Sequence, residues 1–189
     1  MKLKDLEEVI EQNIVRLFTV FYENPAIFLT ESDVKSYLYS LLINDPFIKN
    51  FAPHFRNRNF RKESKTFIVH TEISEGIKGK DKVYDLLIFK PTKLTDLECC
   101  GTTIAVEIKF NRREPARKEK SSIVEDIKKA KHNRLGYVLW LNWDRPIDDT
   151  NLKTVKMLVD RYRNVKLFYL DAFSKPPKTN LEELLKHAN

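Results

Sequence analysis

Apolar residues at Leu3, Leu6, Ile10, Ile14, Leu17 and Phe21 recur at three- and four-residue steps. That spacing lays one stripe along a helix, predicted over 3–22 and stopped by Asn24-Pro25, because the residue before proline is pushed out of helical geometry. A second helix opens at Thr30-Glu31-Ser32-Asp33. Thr30 and Asp33 there have capping-box spacing, with Asp in place of Glu, and Val34, Leu38, Leu41 and Leu42 form the stripe. The pattern then changes period. Residues 66–73 (TFIVHTEI), 83–89 (VYDLLIF) and 102–110 (TTIAVEIKF) are short, β-branched and aromatic, and read as strands. A helix follows, opening at Ser121-Ser122 with Ile123, Val124, Ile127, Ala130 and Leu135 inward and Gly136 closing it. A strand at 137–141, a helix through Leu152, Val155, Leu158, Val159 and Tyr162, a strand at 165–170 and a short helix at 180–187 complete the order. Three consecutive strands followed by alternating helix and strand imply an α/β fold with a mixed sheet flanked by helices.

Two of these apolar strands carry charge. Asp85 interrupts 83–89, and Glu107 and Lys109 interrupt 102–110. A carboxylate or ammonium removed from water costs several kcal/mol unless it is paired or bound to a metal, so three on adjacent core strands need a cause. Side chains two apart leave a strand on the same face, and a hairpin-like connection would bring Asp85 to within about 5 Å of the neighbouring strand. Oxygen donors of this kind suit Mg²⁺ or Mn²⁺, with water and substrate phosphate filling the octahedron. A lysine beside such an ion stabilises attacking hydroxide or a developing oxyanion. The acid-x-Lys triplet alone says little, since it occurs at Asp33-Lys35, Glu63-Lys65, Glu107-Lys109 and Asp126-Lys128. Only Glu107-Ile-Lys109 sits in an apolar strand behind another apolar strand bearing an acid.

The arrangement resembles the PD-(D/E)xK nuclease superfamily, of restriction-endonuclease-like fold with an α-β-β-β-α-β core. The resemblance covers about residues 28–142. It implies that Glu31 is the accessory helix acid, Asp85 the strand aspartate, and Glu107 and Lys109 the third-strand pair. Asp85, Glu107 and Glu31 would then be the metal ligands, and Asp126-Ile127-Lys128-Lys129 resembles the D-x-x-K/R helix that turns basic side chains to substrate. Tyr84 stands where the family name has proline. His70 and Glu72 resemble polar residues that some members carry on the first core strand; a structural histidine paired with a neighbouring acid is an equal reading. The implied activity is that of a Mg²⁺-dependent endodeoxyribonuclease, with Mn²⁺ able to substitute. The alternative is a non-catalytic nucleic-acid-binding or scaffold module on the same fold, acting within a larger complex.

Composition favours a polyanionic partner: 34 Lys+Arg against 27 Asp+Glu give +7. Arg112, Arg113, Arg117, Lys118 and Lys120 follow directly on the Glu107–Lys109 strand and, with Lys128, are the expected nucleic-acid contacts. Arg56, Arg58 and Arg61, interleaved with Phe55 and Phe60 in a basic loop at 50–65, divide evenly between phosphate binding and a solvated loop. DNA is expected before RNA. A homodimer or protein partner is left open, with the first and last helices as its surfaces. No apolar run approaches a membrane span, and the first residues lack the apolar stretch of a signal peptide. Cys99 and Cys100 are adjacent and suggest neither disulfide nor zinc, so the expected setting is cytoplasmic. Trp140 and Trp143 flank a strand end and read as packing rather than a base platform. The 189 residues are read as one domain, with a core at about 28–170 and the helices at 3–22 and 180–187 as appendages.

Overall fold

The computed structural model describes residues 3–50, 54–55, 64–65, 68–77, 80–89, 102–110 and 116–180. Helix α1 (Leu3–Glu23) is followed by a single 3₁₀ turn, α2 (Glu31–Asn44) and the one-turn α3 (Pro46–Lys49). The capping box at α2 forms as its residues dictate: the Thr30 hydroxyl accepts the Asp33 N–H, and Asp33 Oδ2 accepts the Thr30 N–H. Two short strands, β1 (His54–Phe55) and β2 (Ser64–Lys65), pair antiparallel inside the stretch expected to be loop. The main sheet comprises β3 (Val69–Ile77), β4 (Lys80–Phe89), β5 (Thr102–Phe110), β6 (Leu135–Asn142), β7 (Val165–Asp171) and β8 (Lys178–Thr179), in that spatial order. Strands β3, β4 and β5 are antiparallel; β5, β6 and β7 run parallel through the crossover helices α4 (Ala116–Ala130) and α5 (Asp149–Val159); β8 returns antiparallel. The mixed sheet flanked by helices is therefore as the periodicity implied. The last helix, at 180–187, lies outside the described residues beyond Asn180.

The sheet separates two cores. On one face α1 and α2 bury Leu6, Ile10, Ile14, Phe18, Phe21, Val34 and Leu38 against Ile104, Val106, Ile108 and Phe110 of β5 and their neighbours on β6 and β7. Helix α1 thus belongs to the principal core, which the sequence pattern had begun only near residue 28. On the other face Ile123, Ile127 and Ala130 of α4 and Leu152 and Val155 of α5 pack on Val138, Trp140, Val165 and Leu167.

Two details of the α4 region differ from expectation. The helix begins at Ala116, not at Ser121. It also ends at Ala130, so Leu135 and Gly136 belong to β6 and Gly136 caps nothing. Glycine is required there by close approach instead: a Cβ at 136 would lie 2.6 Å from Ala130 Cβ and 2.9 Å from the Ala130 carbonyl oxygen.

Candidate functional site

Alternation along β5 decides where its charges go. Ile104, Val106, Ile108 and Phe110 face α1 and α2, so Glu107 and Lys109 leave toward α4. Both are buried, Glu107 at 1% exposure and Lys109 at 8%. Asp85 reaches them because the ladder opens. Pairing of β4 with β5 runs through Ile88↔Ile104 and Leu87↔Ala105 to Leu86↔Val106 and stops there. Pairing of β3 with β4 passes from Thr71↔Leu86 directly to Ile73↔Tyr84, omitting Glu72 and Asp85. Tyr84 and Leu87 share one apolar cluster although they are three apart, so strict alternation fails between them. The Asp85 carboxylate fills the opening, and its Oδ2 accepts the Ile108 N–H at 2.8 Å. Opposite, Glu72 has φ +52°, a left-handed conformation that costs a non-glycine residue on the order of 1 kcal/mol. Glu72, Asp85 and Glu107 thereby occupy one row across three strands, at the level where the ladder is interrupted.

Three lysines meet these acids. Lys129 of α4 places Nζ 2.6 Å from Glu107 Oε2, donates to the Val83 carbonyl at 2.6 Å and lies over the Tyr84 ring. Lys109 Nζ is 3.0 Å from Asp126 Oδ2 and 3.9 Å from Glu31 Oε1. Lys35 of α2 bonds Glu72 and stands 4.0 Å from Asp85 Oδ1. Glu31, Asp85, Glu107 and Lys109 are thus gathered into one network with Asp126 and Lys129.

Compensation is incomplete at Glu107. Oε1 is buried without a hydrogen-bond partner. Burial pushes its carboxyl up to about 9, the Lys129 ammonium opposing that shift and the Asp85 and Asp126 carboxylates adding to it. Burial alone would lower Lys109, but Asp126, Glu31 and Asp85 outweigh it and hold its ammonium above the usual range. Burial raises Asp126 despite Lys109 beside it. Among the described residues no three carboxylate, histidine or cysteine side chains converge as a metal nest. The lysines stand among the acids, and Glu107 Oε1 is the donor left over.

The other expected residues divide. Lys128 points outward and pairs with Glu125, whereas the adjacent Lys129 enters the network. His70 packs edge-on against Phe89, 5.3 Å between ring centroids. The Glu72 carboxylate is largely in water and held low by its hydrogen bond from Lys35. Arg117, Lys118 and Lys120 fall on the first turns of α4. Arg56, Arg58, Arg61, Arg112 and Arg113 lie outside the described residues.

From sequence, Asp126 and Lys129 appear only within a D-x-x-K/R-like helix turned to substrate, not as partners of the strand charges, and Lys35 only within an acid-x-Lys triplet. For Asp126 a signal existed: Ile123, Asp126, Ile127 and Ala130 follow helical spacing, which puts a carboxylate on a buried stripe. No helix among the described residues is long and apolar enough to cross a membrane. No known protein family, curated protein or solved structure matches the chain.

Proposed function

We propose that this chain is a Mg²⁺-dependent nuclease that hydrolyses DNA phosphodiester bonds at Asp85, Glu107 and Lys109, with Glu31 as the accessory acid. The observation that carries the reading is Glu107: a fully buried carboxylate with one partnerless oxygen, two residues before a lysine on the same strand face. The order of elements agrees with the PD-(D/E)xK core: a helix with an acid, a strand, a strand with Asp85, a strand with Glu107 and Lys109, a helix and a strand.

The donor set suits a hard divalent cation. Glu107 and Asp85 would hold it, with Glu31 at the periphery, and when bound it supplies an acidified water and charge neutralisation at phosphate. Asp85 is oriented by the Ile108 N–H, which fixes Oδ2, while Oδ1 stands 4.0 Å from Lys35 Nζ. Lys109, kept protonated by Asp126 and Glu31, places a positive charge where phosphate oxygens gain negative charge in the transition state. Lys129 offsets the negative charge that Asp85 and Asp126 present to Glu107. Supercoiled plasmid with Mg²⁺ or Mn²⁺ tests the reading. Wild type should cut, and Glu107→Ala and Lys109→Ala should each lose about 100-fold or more.

A second reading is a non-catalytic nucleic-acid-binding or scaffold module, and it is favoured by the lysine partners that Glu107, Asp126 and Asp85 already have. No cutting with either metal, together with no Mg²⁺ or Mn²⁺ binding by calorimetry, would establish it over the nuclease.

A further inference from the structure

Beyond the acid–lysine network, the carboxyl edge of the parallel strands carries a groove of about 870 Å³ lined by Trp143, Phe173, Lys175, Pro176, Pro177 and Lys178. We propose that this groove is a subsite for an unpaired nucleic-acid strand, taking the bases that flank the scissile phosphate. The proposal rests on the nuclease reading for its register to the reaction, but not for the binding itself.

In the parallel register Lys109 lies beside Trp140, and Trp140 beside Tyr169. Trp143 is three residues beyond Trp140 and Phe173 four beyond Tyr169, in the direction that leads out of the sheet. At about 3.3 Å per residue and about 4.8 Å between strands, Trp143 is on the order of 11 Å from the Lys109 position. That is one or two nucleotides of extended strand, and ligands of open α/β sheets bind outside the carboxyl ends of their strands.

Trp143 and Phe173 are 36% and 51% exposed. Single exposed apolar residues need no explanation, but here two aromatic side chains line one concavity with Lys175 and Lys178 at its rim. Aromatic faces with nearby cations are the elements of sequence-tolerant single-strand binding: rings stack on bases and ammonium groups follow the phosphates. Paired bases offer no free face to such rings, so the groove excludes intact duplex. Its volume is that of a small-ligand cleft, enough for a nucleotide or two. Lys178 is held by Asp149 at 2.6 Å, but Asp149 is mostly in water, so phosphate can replace this exposed partner.

Wholly buried Asp171, the last residue of β7, ties both walls together. Its Oδ2 accepts the Ile147 N–H at 2.8 Å and the Ser174 hydroxyl at 2.7 Å; its Oδ1 accepts the Phe173 and Ser174 N–H groups at 3.0 and 3.1 Å. On the far side Asn180 exchanges hydrogen bonds with Tyr169 N–H and Leu167 carbonyl. The aromatics are therefore presented from a fixed frame, which lowers the entropy of capture.

The chain's two tryptophans supply the readout, since Trp140 is 5% exposed and Trp143 36%. Oligothymidylate is titrated into the full chain in EDTA, where no metal-dependent cutting occurs, and tryptophan emission is followed. Saturable quenching is expected, absent in Trp143→Phe, with the dissociation constant raised about tenfold or more in Phe173→Ala and several-fold in Lys175→Glu. A duplex of equal length should not compete. Absence of saturable quenching, equal competition by duplex, or unchanged affinity in Phe173→Ala would each overturn the subsite. Cleavage with no quenching would sink the groove and leave the nuclease. Quenching without cleavage under any metal would support the groove and sink the nuclease.

Discussion

The two faces of β5 are built from alternate residues of one strand, yet they do opposite things. Ile104, Val106, Ile108 and Phe110 pack in one apolar cluster with side chains from α1, α2 and the neighbouring strands, including an edge-on contact between Phe110 and Phe21 at 5.9 Å. Ala105, Glu107 and Lys109 look toward α4, where Asp126 and Lys129 join them. The first face gains stability from every methylene it buries, about 25 cal/mol per Å². The second gives stability up, because ion pairs in such surroundings seldom repay their desolvation. One strand can carry both because the apolar face supplies the excess that the charged face consumes. The charged face is therefore the part of this core that stability does not explain.

That contrast can be broken at several points. The largest effect should come from the apolar face: Phe21→Ala leaves a cavity beside Phe28 and Phe110 and should cost about 3–5 kcal/mol in urea unfolding, with the pH dependence of stability unchanged. Removing charge from the other face should act with the opposite sign. The Glu107 carboxyl titrates near 9 in the folded chain and near 4.5 unfolded. The folded state thus holds the proton throughout that window, and wild-type stability falls as pH rises from about 4.5 to 9. Glu107→Gln should flatten that slope, so that the variant gains on wild type as pH rises toward 9, read by urea unfolding across that range. Overpacking comes next: Gly136→Ala sets a Cβ against the end of α4 and should cost about 1–3 kcal/mol. The smallest effect is the surface control. Lys128→Ala, one residue from Lys129 but paired only with exposed Glu125, should lie within about 0.5 kcal/mol of wild type.

The same contrast explains what could be read in advance. Strands, helices and the Thr30–Asp33 cap follow from period and local hydrogen bonding, so they were legible within a few residues. The burial cost of Glu107 and Lys109 was legible too, because an apolar strand surrounds them. Partner identity was not. Lys35 stands four residues after Glu31, the local spacing for a helix pair, yet its ammonium goes to Glu72 and Asp85 on the sheet. That choice depends on the interruption of the ladder at Asp85, which no local pattern encodes. Lys128 and Lys129 are adjacent in sequence, and only the phase of α4 on the sheet decides which one enters the site. The groove at Trp143 was passed over for a related reason: a tryptophan just beyond a buried strand reads as core until the turn carries it into solvent.

The nuclease reading requires that a metal ion replace Lys129 at Glu107. It is tested most directly by soaking crystals in Mn²⁺ and collecting anomalous diffraction. A peak is expected between Asp85 and Glu107 within ligand distance of Glu107 Oε1, with Lys129 Nζ drawn away from the carboxylate. No peak there at saturating Mn²⁺, with Lys129 still on Glu107, would contradict it.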